Sequence, residues 1–254
     1  VFPPYKSDPD ILHEMTEATA AIARKIGVKG LLNIQFAVKD GKLYVLEVNP
    51  RASRTVPYLS KASGVNLVES AVRIWRGEDL SMQGLINEDE TEVPGVGRGE
   101  CICGWAVKEA MFSFDRFRDL DPLLGPEMRS TGEVIGIGKS FGEAFAKAQL
   151  AVGTMLPTGG RVFVTVHDDD KETVLPIVKD LESLGFSIAA TRGTAQYLFH
   201  HGVFAEVILK VHEGRPNIVD HLKSDRIDLI INTPLGRYTQ KDDDYIRIEA
   251  VKRK

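Results

Sequence analysis

The sequence predicts a mixed α/β fold in two parts, an α+β part followed by a part built on a parallel sheet. Three observations support this prediction. Residues 31–55 have the alternation of a β-hairpin, short strands alternate with helices from Arg161 onward, and a Leu-Pro-Thr-Gly-Gly stretch at 156–160 separates the two patterns. We therefore divide the chain into residues 1–152 and residues 153–254.

The composition is that of a globular chain long enough for two ordinary domains. Its 254 residues are 43% hydrophobic and 27% charged, with a formal net charge of -4. This charge gives no broad basic surface for nucleic acid, and no apolar run approaches the roughly 20 residues of a membrane span. Cys101 and Cys103 lie too close along an apparent strand for an easy disulfide, so we interpret them as reduced thiols of a cytoplasmic protein.

The first helix is predicted to begin at Asp8 and Pro9, a cap residue followed by an early proline, and to end at Gly27. Its apolar residues recur at helical spacing. The helix is therefore expected to pack under the hairpin that follows it.

The hairpin alternates so that three oxygen-bearing side chains fall on one face. They are Gln35, Glu47 and Asn49, an amide, a carboxylate and a second amide. Hard oxygen donors of this kind suit Mg²⁺, which takes one or two protein carboxylates and completes its shell with water and substrate phosphates. Arg51 and Arg54 follow the strand and are suited to meet phosphate as planar forks. The alternative is a half-exposed hairpin whose Glu and Arg side chains pair in solvent.

A three-residue loop at 39–41 is predicted to set the register of the hairpin. A two-residue turn would put Ile34 opposite Glu47 and mix polar with apolar side chains on both faces. The longer loop keeps the faces separate, and it places Gln35 opposite Val45 and diagonal to Glu47.

After the hairpin, helices and strands continue to the end of the first part. Asn66 is predicted to cap an amphipathic helix, and Ser140 with Glu143 forms a capping box for another. The predicted elements are a helix at 66–76, strands at 107–114 and 132–137 with a tight loop at 121–130 between them, and a helix at 141–152.

The second part has the pattern of a parallel sheet. Alternating strands and helices of this length imply right-handed crossovers, and a ligand should lie beyond the carboxyl ends of the strands. The predicted strands are 162–166, 186–190, 205–209 and 227–231, and the predicted helices are 172–184, a short helix after 194, 218–223 and 242–254.

Polar groups follow these strands at their carboxyl ends. Thr191 and Thr194 flank a glycine at a helix start, where the first N–H groups and the helix dipole favour an anion. Lys171, Lys210 and Asn232 follow the other strands. A Thr-x-Gly-Thr sequence is ordinary at a helix start, but convergence from four strand ends predicts an anion site.

The hairpin region resembles a known family. The runs Asn-Ile-Gln-Phe-Ala at 33–37 and Glu-Val-Asn-Pro-Arg-Ala-Ser-Arg-Thr at 47–55 are similar to the end of the second ATP-grasp domain in the large chain of carbamoyl-phosphate synthase. Other ATP-grasp ligases share only the sparse Gln/Glu/Asn pattern. The resemblance implies Mg²⁺ or Mn²⁺ as cofactor and ATP as substrate. It also implies that Gln35, Glu47 and Asn49 bind the metal ions of the nucleotide, and that Arg51 and Arg54 lie near the transferred phosphate.

Two segments of the second part resemble the regulatory domain that ends the same large chain. The runs VILKVHEGRPNI and DLIINTPLGR are similar to this methylglyoxal-synthase-like domain. The resemblance implies that nucleotide effectors such as UMP or IMP are bound through their phosphate and ribose by Lys171, Thr191, Thr194, Lys210 and Asn232. One position departs from the family, because Pro234 replaces a threonine and removes a hydroxyl group.

The loop at 121–130 also resembles the synthase, in the segment that joins the two domains. In that family a glutamate that matches Glu109 contributes to an ornithine site. The alternative is that Glu109 is a surface acid on an edge strand.

Together the resemblances span nearly the whole chain and imply a fragment of a ligase. In this family bicarbonate is phosphorylated, ammonia from glutamine attacks to give carbamate, and a second ATP phosphorylates carbamate to carbamoyl phosphate for pyrimidine and arginine biosynthesis. The expected partner is the glutaminase small chain, and the complete enzyme is expected to be oligomeric.

The chain begins at Val1 without a methionine and ends at Lys254 within a helical run, so we interpret it as a carboxy-terminal fragment. The glycine-rich phosphate loop is expected to precede Val1, and the isolated chain is predicted to be inactive. Two other functions stay open. One is an isolated nucleotide-binding regulatory module. The other is methylglyoxal synthase, whose family places a Gly-Asp catalytic pair where this chain has Arg215-Pro216-Asn217.

Overall fold

The structure, a computed structural model, describes residues 1–83, 85, 104–112, 130–233 and 237–253. These residues divide into two compact units, one within 1–111 and 132–153 and the other within 112–131 and 154–254. The predictions on Cys101, Cys103 and Pro234, and most of the loop at 121–130, lie outside the described residues.

The first unit opens with helix α1 (Pro9–Ile26) and the hairpin of strands β1 (Asn33–Lys39) and β2 (Lys42–Asn49). The Asp8 carboxylate accepts a hydrogen bond of 2.9 Å from the Asp10 N–H, and Gly27 ends α1 in the left-handed conformation. The helix contacts β2, and none of its residues is fully buried. The predicted cap, early proline and terminal glycine of α1 are confirmed.

The hairpin register differs from the predicted one. The turn consists of Asp40 and Gly41 alone, with φ of 52° and 69°, as a type I′ turn requires. An extra residue in β2, Leu46, forms a β-bulge that shifts the pairing by one residue, so Gln35 lies directly opposite Glu47. The predicted three-residue loop and the diagonal placement of Glu47 are therefore wrong. The bulge separates the two faces that a two-residue turn alone would mix.

The described remainder of the first unit includes two short helices, a second strand pair and one more helix. The first of these helices, α2, was not predicted from the sequence. The elements are α2 (Val56–Ser63), α3 (Leu67–Trp75), the antiparallel strands β3 (Trp105–Met111) and β4 (Gly132–Gly138), and α4 (Phe141–Ala151), which packs on that pair.

The two predicted caps are present in this unit. The Asn66 side chain accepts a hydrogen bond from the Glu69 N–H at the start of α3, and Ser140 accepts one from the Glu143 N–H at the start of α4. The Glu143 carboxylate accepts from the backbone N–H of Lys139, one residue before the position of a full capping box.

The second unit is a four-stranded parallel sheet with the strand order β7-β6-β5-β8. This sheet confirms the predicted α/β fold. In chain order the elements are β5 (Arg161–Val166), α5 (Lys171–Ser183), β6 (Ser187–Ala190), α6 (Arg192–His200), β7 (Glu206–Val207), α7 (Ile218–Lys223), β8 (Leu229–Thr233) and α8 (Arg237–Arg253).

Alternation along β5 builds a core on each face of this sheet. Val162 and Val164 pack on one side against residues of α5 and α6, including Val178 and Leu198. Phe163 packs on the other side in a cluster with residues of α7 and α8. The central strand is therefore buried on both faces, as parallel sheets require.

Two strand boundaries differ from the predicted ones in a way that affects the site. Strand β8 lies two residues later than predicted, because its pairing with β5 extends as far as Thr165 and Val166. Asn232 therefore belongs to the last part of the strand instead of following it. Strand β7 contains only two residues. No helix within the described ranges is long and apolar enough to cross a membrane.

Candidate functional site

The oxygen donors predicted on the hairpin lie on one face of β1 and β2. Gln35 is directly opposite Glu47, and Asn33 is opposite Asn49 one pair further along the same face. The Asn49 Nδ2 donates a hydrogen bond of 2.8 Å to the Glu47 Oε1. Gln35 and Glu47 are exposed, and both asparagines are half-buried. The structure thus brings the three predicted residues together and adds Asn33, which the period of two from Gln35 would have indicated.

The two predicted arginines lie in the loop between β2 and α2, and both are exposed. The backbone N–H of Arg51 donates to the Asn49 carbonyl at 2.8 Å, and its Nη1 donates to the Ala52 carbonyl at 2.9 Å. The Arg51 guanidinium is therefore turned back onto its own loop. Arg54 is three residues further on in the same loop.

The chemistry of this face fits a cation that is shared with a ligand. Within the described part of the chain, no group of three or more His, Cys, Asp or Glu side chains is placed to hold a metal. The hairpin face offers one carboxylate, Glu47, with three neighbouring amides. Mg²⁺ bound with one or two carboxylates usually completes its octahedron with water and substrate phosphate, which is consistent with this donor set.

Glu109 lies on β3, opposite Val134 of β4, and is half-buried. The other contributors to an ornithine site were expected outside this chain. The ornithine contact of Glu109 stays a prediction.

The second unit has a cavity of about 240 Å³ at the carboxyl ends of its strands. Strands β6 and β7 lie on one side of β5, and β8 lies on the other side. The order of the strands therefore changes direction between β5 and β8. In open α/β sheets a ligand crevice forms at this point. The polar lining comes from the strand ends, from residues that follow them and from α8: Thr165, His167, Asp168, Thr191, Lys210, Asn232, Thr233 and Asp243.

Three of the five predicted effector residues line the cavity, namely Thr191, Lys210 and Asn232. Thr194 lies one contact away, because the Thr191 Oγ1 donates to the Thr194 Oγ1 at 3.2 Å and both threonines are buried. Thr191 precedes α6 without capping it through its side chain.

Lys171, the fifth predicted residue, lies beside the cavity, where its ammonium group already has protein partners. Its Nζ lies 2.7 Å from the Asp168 Oδ1 and donates to the Gly193 carbonyl at 3.1 Å. The same Nζ lies 5.8 Å from the centroid of the Tyr197 ring. Hydrogen bonding and charge from Lys171 lower the pKa of Asp168, with smaller contributions from the charges of His167 and Lys210.

The cavity wall also contains a buried acid that was not predicted from the sequence. Asp243 of α8 is 5% exposed, and its carboxylate accepts a hydrogen bond from the Asn232 Nδ2 and forms an ion pair with Arg247. The spacing of Asp243 and Ile246 could have indicated it, since residues three apart share a helix face and Ile246 is in the core. Both residues lie within the helix predicted at 242–254, so this signal was present in the sequence.

Comparison with known proteins gives matches over both units. The family model "Carbamoyl-phosphate synthase L chain, ATP binding domain" matches residues 3–83, and the model "MGS-like domain" matches residues 173–254. The chain is 48% identical, over 99% of its length, to the carbamoyl phosphate synthase large chain of Pasteurella multocida. It is 47% identical over 99% of its length to that of Gemmatimonas aurantiaca, and 50% identical over 91% to that of Neisseria meningitidis. The chain spans 23%, 22% and 20% of these three relatives.

Proposed function

Because the chain belongs to the carbamoyl phosphate synthase large-chain family over the part that it spans, we propose that it serves ATP-dependent synthesis of carbamoyl phosphate. The substrates are bicarbonate, glutamine-derived ammonia and two ATP, and the partner is a glutaminase small chain in the cytoplasm. Residues 1–152 then form the end of the second ATP-grasp domain with its connecting segment, and residues 153–254 form the regulatory domain.

The single observation that supports a role in phosphoryl transfer is the hairpin face on which Gln35 and Glu47 are paired. In the proposed role Gln35, Glu47 and Asn49 hold Mg²⁺ or Mn²⁺, which when bound neutralises charge between the phosphates of ATP. The Asn49 amide holds the Glu47 carboxylate in position through its 2.8 Å hydrogen bond.

Arg51 and Arg54 supply charge near the transferred phosphate in this proposal. Phosphoryl transfer needs little covalent chemistry from the protein, so positioning and charge stabilisation account for most of the catalysis. Because the Arg51 side chain now contacts the Ala52 carbonyl, it has to turn away from its own loop to reach a phosphate.

The test is Glu47→Gln in the complete large chain, assayed with the small chain. We expect carbamate phosphorylation to fall by about 10²-fold or more, with a much smaller loss of bicarbonate-dependent ATP hydrolysis, since the first ATP site lies elsewhere in the enzyme. Glu17→Gln, at another exposed glutamate of the same unit, is the control and should leave both rates unchanged. Equal loss of the two partial reactions in Glu47→Gln would argue against this role.

A second function, nucleotide binding by the regulatory domain, is supported by the cavity at the strand ends. A volume of about 240 Å³ is smaller than the roughly 300–1,000 Å³ of drug-sized sites, and it suits the compact phosphate and sugar of a mononucleotide. In this proposal Thr191, Thr194 and Lys171 with the start of α6 take the phosphate, Lys210 supplies counter-charge and Asn232 contacts the sugar.

Calorimetric titration of UMP and IMP into the complete large chain tests the effector site. The comparison is between the wild type and its Lys210→Ala variant. A charge-assisted hydrogen bond to phosphate contributes about 1.5–3 kcal/mol, so affinity should fall by about tenfold to a hundredfold. Lys179→Ala removes an exposed lysine from α5 and is the matched control. The proposal fails if neither nucleotide binds, or if the Lys210 and Lys179 variants bind alike.

A further inference from the structure

The ammonium group of Lys171 is already occupied in the structure. A lysine has three N–H donors, and this one meets the Asp168 carboxylate at 2.7 Å and the Gly193 carbonyl at 3.1 Å, with the Tyr197 ring at 5.8 Å. Its side chain is only 15% exposed. Two of the three donors are therefore held by oxygen partners, and an anion that takes up either of these two positions has to replace one of them.

The two oxygen partners differ in how easily they can be replaced. The Gly193 carbonyl belongs to the first turn of α6 and is fixed by the backbone of that helix. The Asp168 side chain is 83% exposed and lies in the single 3-10 turn between β5 and α5. The Asp168 side chain can therefore rotate into water at a small cost in free energy, because most of it is already exposed.

Asp168 is also one of the residues that line the cavity. A bound phosphate would meet this carboxylate as a like charge, and only when the carboxylate moves away do Lys171 and the phosphate come together. The hydrogen bond and charge of Lys171 lower the pKa of Asp168, so the acid is ionised at neutral pH and competes as an anion.

We propose that Asp168 is an internal competitor that occupies Lys171 until a phosphate displaces it, and that it thereby sets the affinity of the cavity for phosphorylated ligands. This inference rests on the proposed nucleotide-binding function. Ligands with a dianionic phosphate displace the carboxylate, whereas a neutral nucleoside has no group that can replace it.

The test is titration of UMP, inorganic phosphate and uridine into the 254-residue chain and its Asp168→Asn variant. An uncharged amide of the same shape should raise the affinity for UMP and phosphate by about two- to fivefold and leave any binding of uridine unchanged. Asp169→Asn is the matched control, because Asp169 is 86% exposed and contacts His167 instead of Lys171. It should leave the affinities close to those of the wild type.

A double-mutant cycle separates competition from a general change in charge. In a Lys171→Met background there is no ammonium to compete for, so Asp168→Asn should then change UMP affinity by less than about twofold. If Asp168→Asn weakens binding in a chain that otherwise binds UMP, the carboxylate positions Lys171 and the competitor role is overturned. An unchanged affinity overturns it as well. If the folded wild type binds neither UMP nor phosphate, the nucleotide-binding function itself fails, and this inference fails with it.

Discussion

Gly160, just before β5, shows how one residue fixes the edge of the second unit opposite the cavity. Its φ of 112° lies in a region that side-chain-bearing residues rarely adopt, and an added Cβ would lie 2.2 Å from the Asp228 Oδ2. That oxygen accepts a hydrogen bond of 2.7 Å from the Arg161 N–H. Gly160 therefore lets β5 start against the carboxylate that holds its first N–H.

We expect Gly160→Ala to lower the free energy of unfolding by about 1–3 kcal/mol, from backbone strain and displacement of Asp228. Gly159→Ala is the matched control, because a Cβ there meets no atom within 4 Å and Gly159 does not have a positive φ. The free energy of unfolding of Gly159→Ala should stay within about 0.5 kcal/mol of the wild-type value. Urea unfolding of both variants is the measurement, and equal stabilities would contradict this account of Gly160.

The residue-level part of the candidate sites could be predicted only where the sequence carries a local signal. Gln35 and Glu47 were assigned to one face because alternation is local, but their direct pairing depends on the bulge, which belongs to the relation between two strands. Asp243 was missed although its spacing from Ile246 carries a signal, because the hydrogen bond from Asn232 of β8 that holds its carboxylate is not part of any pattern within the helix.

At the scale of elements, α4 shows how capping and packing act together. Gly136 and Gly138 of β4 let the helix backbone come close, since an added Cβ on Gly136 would lie 2.1 Å from the Ala144 carbonyl oxygen. At the helix start the Glu143 carboxylate accepts hydrogen bonds from the Lys147 ammonium at 2.7 Å and from the Lys139 N–H at 2.8 Å. The first turn of α4 is thus tied to both the loop before it and the turn after it.

These contacts make the stability contributed by Glu143 depend on pH. Hydrogen bonding to Lys147, and next to the Lys139 N–H, lowers the pKa of Glu143 below its ordinary value of 4.5. A depressed pKa in the folded state means that the stabilisation is complete above the unfolded value and is lost as pH falls through the folded value. The difference in unfolding midpoint between wild type and Glu143→Gln should therefore be constant above about pH 5 and shrink below it.

Thermal unfolding of the two proteins from pH 7 to pH 3 measures this difference. Lys147→Met removes the largest cause of the shift, so in that background the pH dependence should be much weaker. A difference between wild type and Glu143→Gln that persists unchanged to pH 3 would show that the Lys147 and Lys139 contacts do not stabilise the ionised form.

The type and order of most elements could be predicted, whereas several lengths and boundaries could not. Alternation of strands and helices is enough to predict the parallel sheet of the second unit. The extent of β8 follows from its pairing with β5, which no local pattern contains. Helix α2 has eight residues with a proline in its first turn, and so short a segment has little periodicity to detect.

At the scale of the whole molecule, the two main candidate sites among the described residues are each built from elements of a single unit. The hairpin face belongs to the first unit, and the cavity belongs to the second. The chain spans less than a quarter of the relatives that it matches, and the match to the ATP binding domain covers residues 3–83. The two proposed functions therefore differ in what they require beyond this chain.

We predict that the 254-residue chain alone does not hydrolyse ATP at an enzymatic rate, although its second unit binds nucleotide monophosphates. In the proposed role the hairpin face supplies metal and phosphate ligands, but charge stabilisation without a held nucleotide gives little rate enhancement. Steady-state ATPase assays of the chain, with Glu47→Gln as the control, measure this directly. Sustained turnover that depends on Glu47 would show that the chain holds the nucleotide by itself.

The bulge at Leu46 places one unpaired residue next to the pair formed by Gln35 and Glu47. Leu46 is 64% exposed and has no partner across the strands, so a chain without it could keep all seven cross-strand pairs. The extra residue therefore serves the direction of the strand, since a bulge bends its strand and increases the local twist. The bend changes the direction in which the neighbouring Glu47 side chain leaves the strand. Deletion of this position in a related sequence would therefore change the direction of that side chain and leave the strand pairing intact.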